Sequence, residues 1–215
     1  PFFKSRLPEE IDYDFIESGA HIDRMYEEFS SIQKNKVTFL GYNFYGVGGT
    51  VFATRSLAEA LLEKNYLVEL LSLKCTAKPK EMPYGLQLTA LYKANSRRKI
   101  ELLKRGFFRW KGLYGHLDCD CSRQNLSPYA GMAMRKKLEN INSKTVISTR
   151  ESLHLFLNDA TSEKIEEKIY FFHCTAALVN ELFPVIVNKM EKIDIGKAVF
   201  VSEENRQLYI DKFNF

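Results

Sequence analysis

At 215 residues, 45% of them hydrophobic, the chain is long enough to bury a full core and reads by default as one domain. Its 31 basic and 27 acidic residues leave a net charge of +4, interspersed along most of the chain, without the concentrated basic stripe of a nucleic-acid binder. Four cysteines, at positions 75, 119, 121 and 174, are too few and too irregular for a disulfide framework, and no run approaches the roughly 20 apolar residues of a membrane span. No basic-then-apolar signal peptide opens the chain, so a reducing cytoplasm is the expected compartment. Because the chain opens on Pro1 and stops at Phe215 just after a helical pattern, it is expected to be an excised domain or fragment.

In residues 1–35, Ile11, Phe15, Ile22, Met25, Tyr26 and Phe29 fall at helical spacings, predicting a helical extension. The stretch VTFLGYNFYGVGGTVFATRSLAEALLE then predicts a strand over 37–40, a turn carrying Gly46, Gly48 and Gly49, and a helix with Leu57, Ala58, Leu61 and Leu62 on one face. Glycines let a backbone turn sharply and approach a ligand, and a helix start offers unpaired N–H groups to an anion. Thr50 is expected to cap that helix. The spacing is neither the GxGxxG of a dinucleotide fingerprint nor a P-loop, so a tight bend and a phosphate or diphosphate contact both stay open.

A second strand over 67–73 makes a βαβ unit and hence a parallel sheet. A turn with Pro79 and Pro83 leads to a strand over 86–92 and a helix over 96–108, SRRKIELLKRGFF, which carries Arg97, Arg98, Lys104 and Arg105. That helix is either a solvated face or a patch for an anionic partner such as acidic lipid headgroups, with Phe107, Phe108 and Trp110 beside it. Residues 112–131 are predicted to be a long loop. It gathers His116, Asp118, Cys119, Asp120 and Cys121, but without a second knuckle no zinc site is expected. Strands over 144–148, 168–173 and 197–201 follow, each handing over to a helix: one from Glu151, one over 176–190 around Pro184, and one over 203–209 capped by Ser202. The whole of 36–215 therefore reads as an α/β, Rossmann-like, doubly wound, mainly parallel sheet.

Ligands of such sheets gather beyond the carboxyl ends of the strands. The residues expected there are Gly48, Gly49 and Thr50 after the first strand, Thr149 and Arg150 after a middle one, His173 after the next, and Ser202 with Glu203 after the last. Arg150 offers a planar fork for a phosphate or carboxylate, and His173 can donate to or accept from a sugar hydroxyl. Each also has a structural alternative: an ion pair for Arg150, a satisfied sheet-end histidine for His173, a plain cap for Ser202. His154 and His116 are placed off this edge. No GxSxG, HExxH or Cys-His-Asn signature is present, and Cys174 reads as a buried thiol.

Taken in order, YNFYGVGGTVFATRSLAEALLEKNYLVELLSL, TVISTRESLHLFL, IYFFHCTAALV and AVFVSEENRQLYIDKF resemble the N-terminal half of GT-B glycosyltransferases of the retaining family 4 group, including bacterial enzymes that glycosylate teichoic acid or other surface polymers. The resemblance implies a two-domain enzyme. Its N-terminal domain shapes the acceptor site, its C-terminal domain holds a nucleotide-diphosphate sugar such as a UDP-sugar, and transfer retains configuration, generally without a metal ion. It implies that Gly48 and Gly49 approach the donor diphosphate, that His173 lies near the transferred sugar, and that Ser202 and Glu203 are the "SE" after the last strand of this half. Arg150 falls in the matching "TR". The C-terminal domain with its paired glutamates lies outside this chain, so the isolated 215 residues are expected to be inactive, with no cofactor of their own. The expected setting is the cytoplasmic face of the membrane, with a glycan or polymer acceptor. The alternatives are a non-catalytic accessory or membrane-binding module of the same fold, and a Rossmann-type nucleotide binder of unrelated function.

Overall fold

The computed structural model describes residues 35–76, 83–93, 116–117, 128–175, 178–179, 188–193 and 195–213. The predicted helical extension over 1–34 and the basic helix over 96–108, with Arg97, Arg98, Lys104 and Arg105, lie outside them. So do Asp118, Cys119, Asp120 and Cys121, and most of the helix expected over 176–190.

Six strands, β1 (Lys36–Gly41), β2 (Leu67–Cys75), β3 (Leu86–Lys93), β4 (Thr145–Ser148), β5 (Glu167–Phe172) and β6 (Ala198–Phe200), form one sheet in the order β3-β2-β1-β4-β5-β6. All five pairings are parallel. Four helices are described: α1 (Gly49–Glu63), α2 (Pro128–Glu139), α3 (Glu151–Asn158) and α4 (Glu203–Phe213). The fold is the expected doubly wound α/β layer.

The inner strands read as near-continuous apolar runs because both of their faces are covered. Val37, Phe39, Val68 and Leu70 pack with Ala58 of α1 on one side. Leu40, Leu71, Val146, Tyr170 and Phe172 pack on the other with Ala130, Met134 and Leu138 of α2, with α3, and with Tyr209 of α4. Helix α3 is buried from Glu151 through Leu157, and the Lys168 ammonium donates to the carbonyls of Asn158 (3.0 Å) and Ala160 (2.8 Å) at its end. Those carbonyls lack intrahelical donors, so a basic side chain is well placed there.

Helix α2 corrects the expected loop over 112–131, which overruns its first turns. Pro128 supplies a fixed φ at the helix start and loses no needed N–H, and Gly131 is tolerated within the helix. Ala130, Met134 and Leu138, four residues apart, are all buried. That spacing is the signal that Gly131 and Pro128 obscured.

Gly41 is needed for packing. A methyl group there would sit 2.2 Å from Cζ of Phe44, whose ring is buried by the chain's own turn. Gly41→Ala is expected to cost about 2 kcal/mol by overpacking and to lower the thermal midpoint by about 6 °C. Phe44→Leu in the same chain should recover part of the loss; a midpoint unchanged by Gly41→Ala would refute the contact.

Candidate functional site

The chain runs outward from β1 to β2 and β3, then returns to the other side of β1 with β4. A crevice is therefore expected between the carboxyl ends of β1 and β4, where the winding reverses. Its floor is tied across: the backbone N–H and the hydroxyl of Thr149 both donate to the Leu40 carbonyl, at 3.1 and 2.9 Å.

The turn after β1 has two unlike halves. Its first half is pinned to the end of β2. The Phe44 N–H donates to the Ser72 hydroxyl (3.0 Å), which donates to the Lys74 carbonyl (2.8 Å), and the Asn43 amide donates to the Thr76 hydroxyl (3.0 Å). From α1, the Arg55 guanidinium donates to the Phe44 carbonyl (3.3 Å). The second half, Val47 to Gly49, is exposed. Among the described residues, a methyl group added at Gly48 or Gly49 would meet nothing within 4 Å, and Gly48 has extended backbone, φ 166°. Among the described residues, neither glycine is required by packing or strain.

Gly48, not Thr50, is the N-cap of α1, and no side chain caps it. Thr50 lies inside the first turn, where its carbonyl accepts from the Thr54 hydroxyl (2.7 Å). The expected Thr50 cap is thus corrected: the cap and the helix start lie two residues earlier than expected. That turn carries no acidic residue, so its amide end stays positive.

Arg150 stands directly across the crevice as the N-cap residue of α3. Its guanidinium carbon lies 4.7 Å from the centroid of the Tyr42 ring, and the Lys74 ammonium is 4.7 Å from the same centroid. The ends of β1, β2 and β4 thus meet on one aromatic ring, held by cation–π attraction.

His173 follows β5 on the α1 side of the sheet, its ring 4.0 Å from that of Phe171. Burial lowers its pKa, so it is neutral near pH 7, and its Nε2 is buried without a hydrogen-bond partner among the described residues. Ser202 and Glu203 sit after β6, three strands from β1 or about 14 Å at the usual strand spacing. The Ser202 hydroxyl accepts from the Asn205 N–H (3.1 Å), a plain helix cap, and the exposed Glu203 carboxylate pairs with Arg206. The edge therefore brings the glycine turn and Arg150 together, with His173 one strand further and Ser202 and Glu203 at the far end.

Sequence reasoning missed what lies beneath this edge. His154, set aside as off the edge, is fully buried with Nδ1 2.6 Å from the Ser148 hydroxyl, its ring edge-on to Tyr170 and Phe172. Burial foremost, and then nearby His173, push its pKa down to about 3. Beside it the Tyr209 hydroxyl donates to the buried Glu151 carboxylate (3.4 Å) and the Cys174 carbonyl (3.2 Å), and Asn205 donates to that same carbonyl (3.2 Å). The one sequence clue was spacing: Glu151 and His154 are i, i+3 on a helix that starts at a strand end.

Off this edge, the His116 imidazole meets Asp159 at 2.5 Å. No group of three His, Cys, Asp or Glu side chains is placed to hold a metal among the described residues, and no described helix is long and apolar enough to cross a membrane. No family model and no curated protein matches the chain.

Proposed function

We propose that this chain is the acceptor-side α/β domain of a retaining GT-B glycosyltransferase that uses a nucleotide-diphosphate sugar such as a UDP-sugar. One observation carries the reading. The amide end of α1, without a side-chain cap, lies beside the switch-point crevice behind two glycines that packing among the described residues does not require. Absent side chains at such a place let a ligand approach the backbone closely.

In this reading the N–H groups at the start of α1 stabilise charge on the departing diphosphate, together with groups from a second α/β domain. Neutral His173 orients the sugar through a hydrogen bond from a group already desolvated by the fold. The acceptor is a glycan or cell-surface polymer entering over the ends of β1 and β4, and the enzyme works at the cytoplasmic side of the membrane. The order of the four sequence stretches quoted above supports both assignments.

The test is transfer from UDP-, ADP- and GDP-sugars by the full-length protein, with retained anomeric configuration expected. Among the described residues nothing lies within 4 Å of a Cβ at Gly48, so Gly48→Val is expected to leave the fold intact. It is expected to lower kcat/KM about tenfold or more while the thermal midpoint stays within about 2 °C. No transfer from any sugar nucleotide, or full turnover by Gly48→Val, would sink the reading.

A further inference from the structure

We infer that the α1-side face of β4, β5 and β6 is the docking surface for residues 22–32 of the same chain, whose sequence fits it as an amphipathic helix.

A doubly wound parallel sheet needs cover on both faces, because its inner strands are apolar on both. One face has it from edge to edge: α2 packs on β2 and β3, α3 on β4 and β5, and α4 on β6. On the opposite face α1 covers β2 and β3, and among the described residues no helix covers β4, β5 and β6. Yet that half is apolar. Ile147 stands beside Ile169, and Phe171 beside Val199, in register and so on one side of the sheet. Ile169 and Phe171 pack at the border of the α1 cluster but stay half-buried, and Val199 is 44% exposed. An apolar face of this kind marks a contact surface.

Sequence and chain path both point to the occupant. Within 22–32, Ile22, Met25, Tyr26, Phe29 and Ile32 fall in an arc of about 120° at the helical rotation, while Asp23, Arg24, Glu27, Glu28, Ser30 and Ser31 fill the rest. That is the width of a stripe that faces a core. Only three residues separate Ile32 from Lys36, where β1 begins, about 14 Å of extended chain. The carboxyl end of the stretch is therefore tied to the amino end of β1, whose neighbours are β2, already under α1, and β4. The lane over β4 and β5 is the open one within reach. A helix of 11 residues held there runs antiparallel to the strands for about 16 Å, close to the length of β5. Its first turn then comes to the carboxyl edge on the side of His173, and the residues before 22 are carried to the edge where the candidate ligand groups stand.

The experiment is nuclear Overhauser spectroscopy of the full 215-residue chain with labelled isoleucine, valine and methionine methyls. Contacts from Ile147, Ile169 and Val199 to Met25, Phe29 or Ile32 are expected. Phe29→Asp, which sets a charge on the stripe, should remove them and lower the thermal midpoint by about 6 °C, whereas Glu27→Lys on the polar side should leave the midpoint within about 2 °C of the parent. Contacts from the three methyl-bearing residues to 96–108, or to a second copy in an isotopically mixed sample, would overturn the inference by naming another occupant. Absence of any contact between them and 22–32 in the parent chain would overturn it as well, whether or not Phe29→Asp folds. So would a Phe29→Asp variant as stable as the parent.

Discussion

Acidification from pH 7 to pH 5 is expected to cost the fold about 2 kcal/mol through one side chain, His154. In the fold this imidazole is fully buried and its pKa lies at about 3, below the ordinary value of 6.5. The unfolded chain therefore takes up the proton first. Stability is intact above pH 6.5, falls as the pH drops, and levels off below about 3, for a total near 5 kcal/mol. His173, also lowered by burial, adds to the loss in the same direction. Urea unfolding at pH 7 and pH 5 measures the effect. His154→Asn, which can still face the Ser148 hydroxyl but does not titrate, should lose most of the difference while His173→Asn loses less. The same acid sensitivity in His154→Asn as in the parent would show that another group is responsible.

The second large effect concerns Glu69 of β2, a buried carboxylate far from the candidate site. It meets the Lys36 ammonium at 2.9 Å and that of Lys137 at 3.2 Å, with the Thr38 hydroxyl at 3.5 Å. Burial by itself would raise its pKa, but the hydrogen bonds and charges of Lys36 and Lys137 outweigh burial and hold it below the ordinary 4.5. Its contribution is present above pH 4.5 and is lost as the pH falls through the lowered value. Replacing both lysines by Met leaves the charge buried without compensation and should cost about 3 kcal/mol or more at pH 7. The sign of the pH dependence should then invert, with the double variant gaining stability on acidification as the carboxyl protonates. Adding Glu69→Leu should restore most of the loss, since an apolar replacement of the whole group removes the buried charge. A double variant as stable as the parent at pH 7 would mean that the carboxylate escapes to water.

The sheet was legible because its strands are short apolar runs such as Val37 to Leu40 and Leu67 to Leu73, each followed by a helical period that implies a parallel crossover. The start of α2 was hidden because Pro128 and Gly131 carry the same letters as a loop; only the four-residue spacing of Ala130, Met134 and Leu138 told otherwise. The cap was misplaced by two residues, Thr50 for Gly48, because helix starts are the least certain feature of any local pattern. The positions after each strand were readable in advance because strand ends are a matter of order along the chain. Their partners were not. Nothing local in the sequence ties Arg150 to Tyr42, since that contact depends on how separate segments are brought side by side; Ser148 and His154 are only six residues apart, but their meeting is set by the turn from β4 into α3. The stretch with Arg97 and Arg105, expected to be helical, lies outside the described residues.

The tie between Thr149 and Leu40 spans 109 positions, while each other strand pairing of the described sheet joins neighbours in sequence. Closing a loop of that length costs more chain entropy than any local pairing and is rewarded only when β4 docks on β1. The units β1-α1-β2 and β4-α3-β5 hold short-range contacts of their own, but neither contains both sides of the crevice. Tyr42 and Arg150 face each other only when this long-range seam is shut, so a ligand bound at the crevice would add its free energy to the contact that is entropically hardest to form.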